Sequence, residues 1–291
     1  QSTKGLLKVH ILPVFGDYKL DKLTTPIIQQ QVNKWADKAN KGVKGAYANY
    51  NLLHNVNSRI LKYGVAMQLI QHNPATDVIV PRKKQKEQSK IKFLDRQELK
   101  QFLGYLDTLD QSIYENLFDF VLYTFLLATG VRISEALALE WSDIDLDNGY
   151  IDVNKTVAFS RMETNSTKSE AGNRKISIDK NTVLMLRLYK ARQYQCFMEH
   201  SYSSKMAKYV FSNGFNIYPN RTNLQLVLTK HLKQAGLPRF TFHAFRHTHA
   251  SLLLNAGISY KELQHRLGHS TLAMTMDIYS HLSKEKERDA V

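Results

Sequence analysis

Between Arg82 and Lys90 the sequence reads Arg-Lys-Lys-Gln-Lys-Glu-Gln-Ser-Lys, without a single aliphatic or aromatic residue. Such a stretch has nothing to bury and no periodicity to fold by, so it reads as an interdomain linker. Each flank must therefore close its own core. The division expected is a domain over 1–81, a basic linker over 82–90 and a second domain over 91–291. The chain has 291 residues, of which 43% are hydrophobic, enough for two packed cores. No apolar run is long enough to span a bilayer. The longest, from Phe118 to Ala128, is interrupted by Asp119 and Tyr123 and reads as a buried helix.

In the first block, residues 1 to about 23 look extended or loop-like, punctuated by Pro13 and Gly16. Thr25-Pro26 starts a helix, with a hydroxyl cap and proline at the first helical position. Ile27, Ile28, Val32, Trp35 and Ala36 follow at helical spacing up to Gly42. A second helix is expected from about Lys44 to Ile70, stopped by Asn73-Pro74.

In the second block, Asp95 with Glu98 three residues on is a capping-box start. The helix from Ile113 to Ala128 is broken at Thr129-Gly130, and a short helix restarts at Arg132. Asp147-Asn148-Gly149 marks a turn before the alternating runs Tyr150–Val153 and Lys155–Phe159. Residues 160–173 are polar and turn-rich, and Arg174–Ile178 is another strand. Helices are expected over 181–199, 220–235, 244–256, 259–267 and 271–281, then a charged tail. The fold class expected is mainly α with a small antiparallel β-sheet.

Charge narrows the function. Lys and Arg total 40 against 26 acidic residues, a net charge of +14. That excess favours a polyanionic partner, nucleic acid above all. No Lys-rich amphipathic anchor helix points to a membrane surface. Cys196 is the single cysteine, which allows no intramolecular disulfide and fits a reducing compartment. The chain begins at Gln1 rather than Met, so it reads as a fragment of a longer protein.

The chemistry-bearing residues fall into separated clusters. Ala128-Thr-Gly-Val-Arg132-Ile-Ser-Glu135 puts Arg132 just past a glycine break, where backbone N–H groups favour anions, with Glu135 one turn on to orient it. Thr167-Lys168-Ser169 displays a lysine between two expected strands. His243-Ala-Phe-Arg246-His247-Thr offers a second guanidinium, able to grip phosphate oxygens with two prongs. Leu267-Gly268-His269 adds an imidazole, and Tyr279 a phenol that can become covalently linked to substrate. His243 and His247 also have the i, i+4 spacing of a helical zinc site, but Ala244 stands where a metalloprotease places its glutamate. His247 and His249 read as packing or capping residues, and no metal site is expected.

Taken in order, these segments resemble the signature of the tyrosine recombinases, the phage integrase family, in the flavour of integrases from Gram-positive phages and conjugative transposons. Residues 91–285 resemble the catalytic domain and residues 1–80 the helical core-binding domain. The resemblance implies that Tyr279 attacks a scissile phosphodiester, forming a 3′-phosphotyrosine and releasing a 5′-hydroxyl. It implies that Arg132 and Arg246 clamp the non-bridging oxygens and Lys168 protonates the leaving oxygen. His243 then acts as acid or base, and His269 hydrogen-bonds the phosphate. Arg82, Lys83, Lys84, Lys86 and Lys90 are expected to touch the DNA backbone. The implied partners are double-stranded DNA, held by a homo-tetramer on two sites, with an excisionase or a host DNA-bending protein. The implied setting is the nucleoid of a bacterial cytoplasm. No cofactor is implied: arginines supply the positive charge a metal would bring, and phosphotyrosine conserves the bond energy that ATP would otherwise provide. The chain departs from the family's common spacing: Tyr279 lies ten positions after His269, one more than is common. A type IB topoisomerase-like activity and a non-catalytic DNA-binding regulator remain the alternatives.

Overall fold

The computed structural model describes residues 3–83, 93–159, 163–166, 172–273 and 275–276. The chain forms two compact units, Gln1–Ser89 and Lys90–Val291.

The N-terminal unit is helical, and it begins earlier than periodicity suggests. Helices α1 (Thr3–Leu6) and α2 (Leu12–Phe15) flank a π-helical turn, Leu7–Ile11. This corrects the extended reading of residues 1–23. Leu6, Ile11 and Phe15 are all buried. The five-residue step from Leu6 to Ile11 fits no α-helical stripe, but one wide turn brings both to the same face. Pro13 sits at the junction between the π-helical turn and α2.

Helix α3 (Thr25–Asn40) buries Ile28, Val32 and Ala36 against α4 (Tyr50–Ala66), which contributes Leu53, Val56 and Leu61. Thr25 is not the cap: Thr24 holds that position, and the Thr25 hydroxyl donates to Pro74 O at 2.9 Å. Helix α4 is also shorter than expected. Asn73 ends the unit as the sequence indicates, its side chain donating to Ser58 O and accepting from Ala75 N.

The C-terminal unit is organised on α6 (Tyr114–Thr129), apolar around most of its circumference. A helix of that composition must be covered on several sides. It packs against α8 (Lys180–Glu199) and α11 (His243–Asn255), and Phe118, Leu122, Tyr123, Phe125 and Leu126 lie in the core. Helix α5 (Arg96–Asp107) starts with the expected capping box, Asp95 accepting from Gln97 N and Glu98 N while Glu98 accepts from Asp95 N. Helix α6 ends at Gly130 in the left-handed region, φ +67°, which turns the chain into the short α7 (Ile133–Ala136).

Strands β1 (Ile144–Asp145), β2 (Tyr150–Val153) and β5 (Arg174–Ser177) form an antiparallel sheet in the order β1-β2-β5. Ile151 faces Ile176 and Val153 faces Arg174. Strand β3 (Lys155–Ala158) pairs with β4 (Glu163–Ser166) in a separate hairpin. Strand β4 falls inside the polar stretch read as turns, and ladder pairing with β3 defines it in place of an apolar pattern. Helices α9 (Ser204–Ala207), α10 (Arg221–Gln234) and α12 (Tyr260–Leu267) complete the unit. Among the described residues no helix is long and apolar enough to cross a membrane.

Gly130 has little room for a side chain. A Cβ there would meet His249 Cδ2 at 2.5 Å and Leu267 Cδ2 at 3.1 Å, on top of the strain of a positive φ. Gly257 has φ +93° but open space around its Cβ position. Gly130→Ala should therefore cost about 3 kcal/mol or more, strain plus overpacking, against about 1–2 kcal/mol for Gly257→Ala. Urea unfolding of the two variants side by side checks the difference.

Candidate functional site

Helix α12 ends at Leu267, and Gly268 at φ +65° turns the chain left-handed. Helix C-termini leave their last carbonyls without intrahelical donors. Here three consecutive carbonyls each take a guanidinium from a different part of the unit. Arg266 O accepts from Arg174 Nε at 2.7 Å. Leu267 O accepts a short bond from Arg246 Nη2. Gly268 O accepts from Arg132 Nη2 at a long 3.4 Å. The negative end of a helix dipole favours cations in the same place.

Each arginine arrives for a local reason. Arg132 caps α7, placed there by the Gly130 turn. Its backbone N donates to Glu135 Oε2 at 2.9 Å and its Nη1 to Glu135 Oε1 at 2.6 Å. Arg246 lies one turn into α11, is buried, and also donates through Nη1 to Gly130 O at 2.9 Å. Arg174 occupies an inward-facing position of β5, where the alternation would place an aliphatic residue. It meets Glu135 Oε2 through Nη2 at 2.9 Å and Gly172 O through Nη1 at 3.0 Å. Glu135 is thus a buried carboxylate shared by Arg132 and Arg174. Burial pushes its pKa up, but the charge and hydrogen bond of Arg174, then those of Arg132, outweigh this and hold it below the usual range.

The histidines feel the same field. His269 is buried, with Nδ1 2.8 Å from Thr275 Oγ1. Burial, then the charges of Arg246 and Arg132, pull its pKa down to about 4. His243 opens α11 at the surface. Partial desolvation lowers its pKa, followed by Arg221, Arg246 and Arg132. Half-buried His247 is lowered to about 4 by desolvation and then by His243 and Arg246. All are therefore neutral near pH 7, able to pass a proton or offer a hydrogen bond.

His249 and Arg266 lie behind the carbonyls. Arg266 Nε donates to His249 Nε2 at 2.9 Å, so the imidazole proton sits on Nδ1 and points to Leu127 O at 2.7 Å. Burial and then Arg266 lower the His249 pKa to about 4. Arg266 also reaches Ser177 O at 3.2 Å and Ala128 O at 3.3 Å, tying β5 and the end of α6 to α12.

Of the residues named from sequence, the fold gathers Arg132, Glu135, His243, Arg246 and His269 around one end of α12. Lys168 and Tyr279 lie outside the described residues, as do Lys84, Lys86 and Lys90. Arg82 and Lys83 are exposed in the N-terminal unit, beside Asn49 and Asn51. Arg174 and Arg266 were not among the sequence candidates. The signal for Arg174 was present: it shares the strand phase of Ile176 and Ile178, where a charge must find an internal partner. Among the described residues no group of three or more His, Cys, Asp or Glu could hold a metal.

Residues 92–286 match the phage integrase family, and residues 1–36 match the phage integrase N-terminal SAM-like domain. The chain is 28% identical over 294 residues to the ICEBs1 integrase of Bacillus subtilis (strain 168), covering 99% of this chain and 75% of that protein. It is 31% identical over 173 residues to the integrase of Staphylococcus phage L54a, covering 55% of this chain and 47% of the relative. For the transposase from transposon Tn916 of Enterococcus faecalis the figures are 28% over 196 residues, 56% and 45%. The chain thus spans about half the length of the latter two. Among solved structures, residues 82–397 of the Tn1549 transposon integrase, in complex with transposon right-end DNA, superpose with a TM-score of 0.72 at 20% identity. That match covers 99% of this chain and 92% of the other. A lambda integrase (75–356) dimer bound to a core site gives 0.62 at 19% identity, covering 95% and 86%.

The depressed histidines carry a stability signature. With folded values about 4 for His247, His249 and His269 against an ordinary 6.5, the unfolded chain binds more protons between those limits. Stability is then full above about pH 6.5 and falls as the pH drops toward 4, by up to about 3 kcal/mol for the deeply buried His249 and by less for His247 and His269, which solvent screens more. Urea midpoints measured from pH 7.5 to 4.5 should fall monotonically, and His249→Phe should flatten the curve.

Proposed function

This chain belongs to the phage integrase family, the tyrosine site-specific recombinases, and we propose that the end of α12 is where it grips the DNA phosphate to be broken. The observation that carries this reading is the meeting of Arg132, Arg246 and His269 at three successive residues of chain, Leu267 to His269. In this reading the scissile phosphodiester sits before Arg132, whose guanidinium is a third exposed. Arg132 and Arg246 oppose the negative charge that builds on the equatorial oxygens of five-coordinate phosphorus. His269 donates a hydrogen bond to one of those oxygens, and His243 manages a proton. Donors fixed in advance act mainly on the transition state, so losing one costs roughly 10²–10³ in rate.

Tyr279 supplies the nucleophile. Its oxygen bonds to phosphorus as the bond to the 5′ oxygen breaks, and Lys168 delivers the proton that makes the leaving group a 5′-hydroxyl. A free phenol titrates near 10, so attack near neutral pH requires proton removal and a phosphorus made electrophilic by the cations. Attack by another strand's 5′-hydroxyl on the phosphotyrosine reverses the step and joins new ends without net loss of a phosphoester. The biological outcome is integration or excision of a mobile element. Four protomers on two duplexes, aided by an excisionase or a host DNA-bending protein, carry it out on the nucleoid of a bacterial cytoplasm. The exposed Arg82 and Lys83, with Lys84, Lys86 and Lys90, add sequence-independent contacts to phosphate.

A nicked duplex carrying the cognate site, which loses its short 5′-hydroxyl fragment after cleavage, should trap a protein–DNA adduct. Tyr279→Phe should abolish the adduct and leave DNA binding within about twofold, a phenol hydroxyl being one polar contact among many. Arg246→Ala should slow adduct formation on the order of 10²–10³-fold. A Tyr279→Phe protein that still forms the adduct removes Tyr279 as nucleophile. A wild-type chain that binds the site and never forms one is a DNA-binding regulator. Binding itself should weaken steeply with salt, in a log–log line whose slope counts the phosphates neutralised.

A further inference from the structure

Arg174 is as deeply buried as Arg246 at the end of α12, each 4% exposed, and its side chain is 1% exposed. All three of its guanidinium nitrogens are turned onto protein acceptors. Nε meets Arg266 O, Nη1 meets Gly172 O and Nη2 meets Glu135 Oε2. Held by protein at every nitrogen, it suits a support for the phosphate clamp. What it touches is the carboxylate that orients Arg132.

We infer that Arg174 is a positioning residue: through Glu135 it fixes the guanidinium of Arg132 against the scissile phosphate. This rests on the phosphate-binding reading above. Glu135 binds Arg132 twice, at the backbone N and at Nη1, so the carboxylate sets both the start of α7 and the direction of the side chain. That carboxylate is buried, and burial is the largest single effect on its ionisation, opposing the charged form. Arg132 alone is a weak counterweight because a third of it lies in solvent, where its charge is screened. Arg174 is enclosed and makes a charge-assisted bond of 2.9 Å, so it supplies the larger share of the compensation. Without it, Glu135 would take up a proton or swing toward water. Arg132 would keep only its 3.4 Å contact with Gly268 O.

The same contacts explain why an arginine is needed. A lysine on β5 would bring one point charge, whereas three acceptors on three segments require the guanidinium fork. The Nε bond to Arg266 O sets the depth of the side chain, and the two Nη atoms then face Gly172 O and Glu135.

The test compares single-turnover adduct formation on two nicked duplexes. One carries the ordinary scissile phosphate. The other carries an uncharged methylphosphonate there, which builds less negative charge and depends less on Arg132. Arg174→Met should slow cleavage of the phosphate on the order of 10²-fold, the effect of misplacing a reacting group by about an ångström. DNA affinity should stay unchanged. On the methylphosphonate the deficit relative to wild type should shrink by roughly tenfold or more, as it should for Arg132→Ala. In an Arg132→Ala background, adding Arg174→Met should cost little further, because the two act in series. Equal deficits on both duplexes, additive losses in the double variant, or wild-type rates for Arg174→Met would each overturn the inference. If thermal melting shows that Arg174→Met does not fold, Arg174→Lys goes through the same comparison, and the same results support or overturn the inference. Failure of the wild-type chain to form any adduct would instead sink the underlying functional reading.

Discussion

The structure depends on one unusual use of a helix end. Carbonyls left over at a helix C-terminus are ordinarily satisfied by water, by a tightened last turn or by a single capping side chain. In α12 the acceptors at Arg266, Leu267 and Gly268 are met by guanidinium groups from residues 174, 246 and 132. Those three arginines stand on β5, on α11 and at the cap of α7. For all three to reach one helix end, the sheet must pack beside α12, α11 must cross α6, and the chain must turn sharply at Gly130. The left-handed Gly268 lets the last carbonyls splay toward different donors and then delivers His269 to the same place. The core of the unit, centred on α6, is the scaffold on which those demands are met together.

Gathering like charges has a cost that shapes the neighbourhood. Cations held a few ångströms apart in partly buried surroundings repel strongly. Glu135 offsets part of that repulsion and is shared between two arginines. The histidines register the remainder: beyond burial, the arginine charges lower His243, His247 and His269 alike. A site in this condition is stabilised by an arriving anion and resists further protonation. Both properties suit a phosphoryl-transfer centre, in which the protein need not reorganise while charge builds on phosphorus. Stability given up before substrate binds is recovered in the transition state.

Much of this was legible in the sequence, for identifiable reasons. Gly130 and Gly268 punctuate helices, so Arg132 and His269 stand at breaks where side chains are displayed. The family's order of motifs then links them to Arg246 and Tyr279. The capping box at Asp95 and the turn at Gly149 were local and read directly. What escaped was non-local or lacked apolar periodicity. The first helices hid behind a five-residue step that only a π-turn accommodates. Strand β4, Glu-Thr-Asn-Ser, has no hydrophobic alternation and is defined by pairing with β3. Arg174 shared the strand phase of Ile176 and was passed over, whereas Arg266 gave no signal because most of its acceptors are main-chain carbonyls contributed by other segments. Main-chain acceptors leave no mark in a sequence.

The central claim is that one phosphate meets the arginine cluster at the end of α12. A crystal structure of the chain trapped on a nicked cognate duplex examines it most directly. The account predicts a single phosphorus within hydrogen-bonding reach of Arg132, Arg246 and His269, with Arg174 still on Glu135 and the α12 carbonyls still holding their guanidinium partners. A scissile phosphate bound elsewhere on the unit, or one held by Arg174 after release from Glu135, would contradict it.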